Sequence, residues 1–189
     1  MKKNLITAVL MTISTTILLG IVYPLVVTAL AQALFHDKAN GQLIRQNGEL
    51  IGSKIIGQPF TSDLYFHSRP SAAGSGYDAA NSSGSNLGPT NQKLIDRVKT
   101  DLASAQADNP NTLVPIDLVT TSGSGLDPDI TPAAALFQVP RIARVRGLSE
   151  NKVRALVTSH IQQRQFGILG EPRVNVLDLN LALDSMTLK

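Results

Sequence analysis

Three histidines, His36, His67 and His160, are the side chains best suited to proton transfer or metal binding in this 189-residue sequence. No two of them have a metal-ligand spacing, and H-E-x-x-H is absent. His67 stands beside Ser68 and Arg69, and a Ser/His arrangement with Ser82, Ser83 or Ser85 would make a hydrolase. No G-x-S-x-G elbow supports it. His160 falls on an apolar helix face and reads as a core histidine. The Gly/Ser stretches 84–88 and 123–125 lack the Lys that completes a phosphate loop. Asp127 and Asp129 flank Pro128 just ahead of a helix, where carboxylates favour the positive end of the dipole. Arg141, Arg144, Arg146, Lys152 and Arg154 form one basic cluster, read as a solvated face. With no cysteine there is no disulfide framework, thiol nucleophile or lipid anchor on Cys. That lack also suits an oxidising compartment.

The elements that would carry these groups begin with an uncharged run from Asn4 to Phe35. About 20 helical residues cross the ~30 Å hydrocarbon core. The run predicts a transmembrane helix over 5–30, with a kink at Pro24. Lys2 and Lys3 precede it, so residues 1–4 are expected in the cytoplasm and everything after about Phe35 outside. Ala29-Leu30-Ala31 resembles a signal-peptidase site. The apolar run, however, far exceeds the ~7–15 residues of a signal h-region. Ala8, Thr12, Thr16 and Gly20 recur every four residues, a stripe that allows close approach of another helix.

Beyond a linker at 31–41, residues 42–189 predict one extracytoplasmic domain. Asn47-Gly48 sets a hairpin over 42–51 with a type I′ turn. The polar stretch 69–91 reads as an ordered loop because of Tyr77 and Leu87. A helix is expected over 91–105, with Leu94, Ile95, Val98 and Leu102 on its inner face. Residues 115–119 read as a strand. Thr131-Pro132 opens a helix that Pro140 interrupts or kinks. A further helix starts at Ser149, turning Val153, Leu156, Val157, His160 and Ile161 inward. The alternation over 174–183 reads as a strand. The fold class is therefore α+β, with a small mixed or antiparallel sheet and about three helices. Net charge points away from nucleic acid. Fifteen Lys+Arg follow the apolar run against 14 Asp+Glu, since two of the 17 basic residues are Lys2 and Lys3.

Several runs, taken in order, carry a resemblance. They are Val22-Tyr23-Pro24-Leu25, Gly57-Gln58-Pro59-Phe60, 65–71 (YFHSRPS), 83–88 (SGSNLG) and 121–127 (TSGSGLD). They continue with Ile130-Thr131-Pro132-Ala133-Ala134, Gln138-Val139-Pro140-Arg141, Val174-Asn175-Val176 and 179–184 (LNLALD). Together they resemble the C subunit of the Kdp-type potassium-transporting ATPase over nearly the whole chain. The resemblance implies a bacterial plasma-membrane complex. Its partners would be a channel-like potassium-binding subunit, a P-type ATPase subunit and a small membrane subunit. Potassium would be carried by the complex and not bound here. The resemblance also implies a non-catalytic role in assembly and in raising the ATP affinity of the hydrolysing subunit. Gln138 and Arg141 are the residues it nominates for nucleotide contact. The stripe Ala8, Thr12, Thr16 and Gly20 would pack on the channel-like subunit. Tyr65, His67, Arg69, Ser85 and Asn86 would lie on loops covering the potassium entrance. A membrane-tethered periplasmic hydrolase using His67, or a released binding protein, is the alternative reading.

Overall fold

The computed structural model describes residues 1–187. Leu188 and Lys189, the end of the expected 42–189 domain, lie outside them. The chain divides into two compact units, Met1–Ile51 and the part from Gly52 onward.

The first unit is dominated by one helical run, Lys2–Leu34, long and apolar enough to cross a membrane. It comprises α1 (Lys2–Ile17), a π-helical turn (Leu18–Val22) and α2 (Tyr23–Leu34), with no buried residue in any of them. The π turn stands where the sequence pointed to a kink. Pro24 has no N–H for the carbonyl four residues back, and its ring crowds that carbonyl. The turn just before it widens, and Tyr23 N–H reaches back five residues to Leu18 O. Thr7, Thr12 and Thr15 donate their hydroxyls to Lys3 O, Ala8 O and Met11 O at 3.0, 2.9 and 2.8 Å. Such back-bonding satisfies the hydroxyls inside the helix, as lipid demands. A short α3 (His36–Ala39) follows, then β1 (Leu43–Gln46) and β2 (Glu49–Ser53). Asn47 at φ 52° and Gly48 at φ 86° supply the two positive angles of the expected hairpin turn.

The second unit holds α4 (Gln92–Asp108), β3 (Asp129–Ile130), α5 (Pro132–Arg146), α6 (Glu150–Ser159), β4 (Val174–Asn175) and α7 (Val176–Thr187). The class is α+β. Its sheet content is two separate antiparallel pairs, β1 with β2 and β3 with β4. The core gathers Ile130 from β3 with Ala134, Val139 and Ile142 from α5. Val153 and Val157 of α6, Val174, Val176, Leu179 and Leu183 also enter it together with Phe66, and Phe60 packs against it. Thr131 caps α5 by accepting from Ala134 N at 3.1 Å. Buried Asp117 in turn accepts from Thr131 N at 2.7 Å and Thr131 Oγ1 at 3.1 Å.

Five expectations change. Residues 116–118 form a 3-10 turn instead of a strand, which lets Asp117 point at Thr131. Pro140 does not end α5, which runs on to Arg146. The proline deprives Leu136 O of its donor, and one residue on, the Asn109 amide donates to Phe137 O at 3.1 Å. The expected strand over 174–183 is two residues of β4 followed by α7. Asn175 Oδ1 accepts from Asp178 N three residues on and starts the helix as a cap. His160 is half-buried at the end of α6, its Nδ1 2.8 Å from Leu156 O, and is not a core histidine. On α4 no residue is buried, and Leu102 is exposed.

The 69–91 stretch is packed as expected. Tyr77 O–H donates to Arg69 O at 2.6 Å, Ser71 Oγ donates to Gly125 O at 2.6 Å, and Ser83 N donates to Ser124 O at 3.0 Å. Gly125 needs to be glycine here. Its φ is +66°, and a Cβ would lie 2.7 Å from Ala73 N and Ser83 O.

Candidate functional site

The segment Asp63–His67 crosses the second unit without joining a sheet, and Phe66 within it is wholly buried. A buried carbonyl without a donor costs about 1–3 kcal/mol. Here five successive carbonyls, from exposed Asp63 and Leu64 to buried Phe66 and half-buried His67, take donors from side chains of α5 and α7. Arg141 Nη1 donates to Asp63 O at 2.6 Å and Tyr65 O at 3.1 Å. Arg146 Nε donates to Leu64 O at 2.7 Å. The amides pair the two following residues in both directions, as a neighbouring strand would. Asn180 accepts from Phe66 N at 2.8 Å and donates to Phe66 O at 3.0 Å. Gln138 accepts from His67 N at 2.7 Å and donates to His67 O at 3.1 Å.

Helical spacing puts these groups on one face. Gln138 and Arg141 are three residues apart on α5, and Arg141 Nη2 donates to Gln138 Oε1 at 2.8 Å. Asn180 and Asp184 are four apart on α7. Asp184 ties the ends together by accepting from Tyr65 O–H at 3.1 Å and Arg146 Nη2 at 2.8 Å. The Arg146 guanidinium also covers the Tyr65 ring, 4.8 Å from its centre. Arg141 Nε lies 3.0 Å from Asp108 Oδ2 on α4. This contact is a charge pair and lacks the alignment of a hydrogen bond. Burial pulls the Arg141 pKa down, while the Asp108 and Asp63 carboxylates oppose that. The guanidinium remains charged.

The segment His67–Pro70 borders a cleft of about 290 Å³, faced by Asp101, Ser104 and Asp108 of α4 and by Phe137 and Gln138 of α5. Arg69 pairs with Asp127 at 3.0 Å. His67 is half-buried, its Nε2 3.1 Å from Ser62 O. Burial, then the nearby Arg141 charge, lowers its pKa below the ordinary 6.5. The folded state therefore favours the neutral ring. That contribution is complete above pH 6.5 and is lost as pH falls from 6.5 through the depressed folded-state pKa. Thermal melts of the full chain in detergent between pH 7.5 and 5.5 should show stability falling toward acid. His67→Gln should flatten that fall, and equal slopes for both proteins would refute the assignment.

The structure gathers Tyr65, His67, Gln138 and Arg141 into one clamp, with Arg69 at its edge. Gln138 and Arg141 spend their polar atoms on main chain, on Asp108 and on each other. Ser85 and Asn86 follow the stretch that the 122–125 turn holds, and Asn86 is exposed at φ 50°. Ser82 and Ser83 donate their hydroxyls to Ser124 O and Gly84 O. Asp127 and Asp129 do not cap α5. Asp127 accepts from Asp129 N, and Asp129 pairs with Arg173 at 2.9 Å. The basic cluster is solvated only in part: Arg144, Lys152 and Arg154 are exposed, while the Arg141 and Arg146 side chains are 2% and 6% exposed. Ala8, Thr12, Thr16 and Gly20 lie on exposed surface of the Lys2–Leu34 helix. Sequence reasoning missed Asn180 and Asp184 as site residues, although both fall in the 179–184 run that carried the resemblance.

Comparison with known proteins agrees with that resemblance. The family model described as "K+-transporting ATPase, c chain" (KdpC) matches residues 5–185. A potassium-transporting ATPase KdpC subunit of Koribacter versatilis is 66% identical, covering 97% of this chain and 95% of that one. A KdpC subunit of Rhodopseudomonas palustris is 56% identical, covering 98% and 99%. One from Caulobacter vibrioides is 58% identical, covering 90% and 87%. The residues of the clamp, and all but the first three of the Lys2–Leu34 helix, fall inside the matched span, and the chain belongs to the KdpC family.

Proposed function

We propose that this chain is a non-catalytic accessory subunit of an ATP-driven potassium uptake complex. Its partners are a channel-like potassium-binding subunit, a P-type ATPase subunit that hydrolyses ATP and a small membrane subunit. The observation that carries this reading is 66% identity over 97% of the chain to a subunit of that name. The Lys2–Leu34 helix anchors the protein in the plasma membrane, lysine-bearing end inside, and packs on the channel-like subunit through Ala8, Thr12, Thr16 and Gly20. The domain from Gly52 onward stands outside. Its clamp makes the 65–71 strip a rigid surface at the potassium entrance.

An effect on ATP affinity belongs, in this reading, to coupling through the membrane subunits. Coupling requires only that this subunit contact its partners differently in two states. A nucleotide at Gln138 and Arg141 would have to displace the main chain of residues 63–67. ATP, moreover, would be on the other side of the membrane.

The test is purification from membranes through a tag on Lys189, with potassium uptake measured in a deletion strain. A P-type ATPase should co-purify, and deletion should abolish ATP-driven uptake. Thr12→Glu should reduce recovery of the complex. Purification of the chain alone, with uptake intact in the deletion strain, would sink the proposal.

A further inference from the structure

Between Ile161 and Val174 the chain leaves the core and returns as a narrow hairpin. One bridge joins Gln162 and Arg173, with N···O distances of 2.8 and 3.0 Å. A second joins Gln165 and Leu169, with 2.9 Å in both directions. Every residue from 162 to 171 is exposed. The tip is nevertheless apolar, with Phe166 83%, Ile168 75% and Leu169 56% exposed. Phe166 also holds φ at +55°. A bulky residue in the left-handed region is an outlier, and such strain costs on the order of 1–3 kcal/mol. The two bridges hold it there, and the result is a benzyl group presented to water. Neither the strain nor the exposure stabilises the isolated chain.

Charge around the hairpin selects the kind of surface it meets. The depression at its base is lined by Asp117, Asp127, Asp129 and Glu171 against Arg69 and Arg173. Arg164, the cation nearest the tip, is paired with Glu171. Loops that enter lipid combine apolar residues with free Lys or Arg facing anionic headgroups. Here Arg69 pairs with Asp127, Arg173 with Asp129 and Arg164 with Glu171, and buried Asp117 is spent on Thr131, so the hairpin and its base offer anionic headgroups no free cation. An apolar pocket with a neutral polar rim on a protein complements it; an anionic bilayer does not. The contact is small, and a free complex held by three side chains would be weak. On a chain already anchored in the same assembly, effective concentration makes up the difference.

We propose that the Phe166–Leu169 tip docks into an apolar pocket with a neutral polar rim on another protein subunit of the complex, the strained hairpin being pre-formed for that contact. This deepens the subunit reading and rests on it. The test places a benzophenone amino acid at position 166 in the intact membrane complex, with the same group at exposed Lys99 as control. Irradiation should join position 166 to another subunit well above the Lys99 background. Crosslinks to lipid or to a second copy of this chain, or none above background, would overturn the proposal. Phe166→Ser with Ile168→Ser provides a second measurement. Recovery of the complex should fall roughly tenfold, as for loss of a hot-spot aromatic, with the melting temperature of the purified chain unchanged. Unchanged recovery counts against docking. If the wild-type chain recovers no P-type ATPase, the subunit reading itself fails and the docking proposal falls with it.

Discussion

Arg141→Met lowers the stability of the domain by about 3–5 kcal/mol, the range for removing one partner of a buried charge pair. The Arg141 side chain is 2% exposed and Asp108 is 39% exposed, so solvent screens part of the Coulomb attraction. Most of the loss comes from the main chain. Asp63 O and Tyr65 O lose their Arg141 donor, and Gln138 Oε1 keeps only His67 N. Methionine fills much of the volume but donates nothing, so packing alone does not compensate. At ~2–4 °C per kcal/mol for a domain of this size, the melting temperature should fall by about 6–20 °C. Arg141→Lys keeps the charge but not the planar fork that reaches two carbonyls and an amide at once. It should recover less than half of the loss. Melts of the full chain in detergent decide the matter. A drop below about 1 kcal/mol for Arg141→Met, the range of an exposed pair, would show that the clamp is not the source of stability.

The same residues show where sequence reasoning reached and where it stopped. Gln138 and Arg141 stood out as a polar pair in a motif after a well-capped helix, and the α5 start at Thr131-Pro132 was legible from cap chemistry. What they bind was not. A planar amide and a guanidinium fork suit nucleotide edges and phosphates, and they suit main-chain carbonyls equally well. Their partner, His67, lies 71 positions away, and Phe66 lies 114 from Asn180. No local pattern encodes those pairings. The type I′ hairpin was legible because Asn47 and Gly48 determine it between them. α7 was not, because Asn175, Asp178 and Asn180 among apolar residues imitate a period of two. The positions buried in the structure include Val176, Leu179 and Leu183, a helical i, i+3, i+7 set. Pro140 misled in the opposite direction. Losing one N–H is tolerable where packing holds the helix and Asn109 donates nearby, so tertiary structure overrode the local signal. The π turn before Pro24 is the corresponding accommodation in the apolar helix.

Asn180→Leu tests whether that long-range pairing, more than the fit of the side chain, holds the segment. Asn180 is 2% exposed, and its amide accepts from Phe66 N and donates to Phe66 O. Leucine keeps the approximate shape. Because the partner is backbone, the substitution cannot remove the opposite group along with the amide. It leaves a donor and an acceptor beside a wholly buried phenyl ring, at about 1–3 kcal/mol each. The expected loss is therefore about 2–6 kcal/mol. Asn180→Asp separates polarity from shape. An ionised carboxylate can accept from Phe66 N but repels Phe66 O; once protonated, it can donate to that oxygen. The Asp variant should thus be unstable at neutral pH and gain on wild type as the solution is acidified, which Leu cannot do. Combined with Gln138→Ala, which releases the next residue, the losses should be non-additive by more than 0.5 kcal/mol, as for neighbours in one network. Additive losses, or an Asp variant without pH dependence, would mean that Phe66 and His67 are held independently, and the strip from Tyr65 to Ser71 would not be the single rigid surface that the proposed role at the potassium entrance requires.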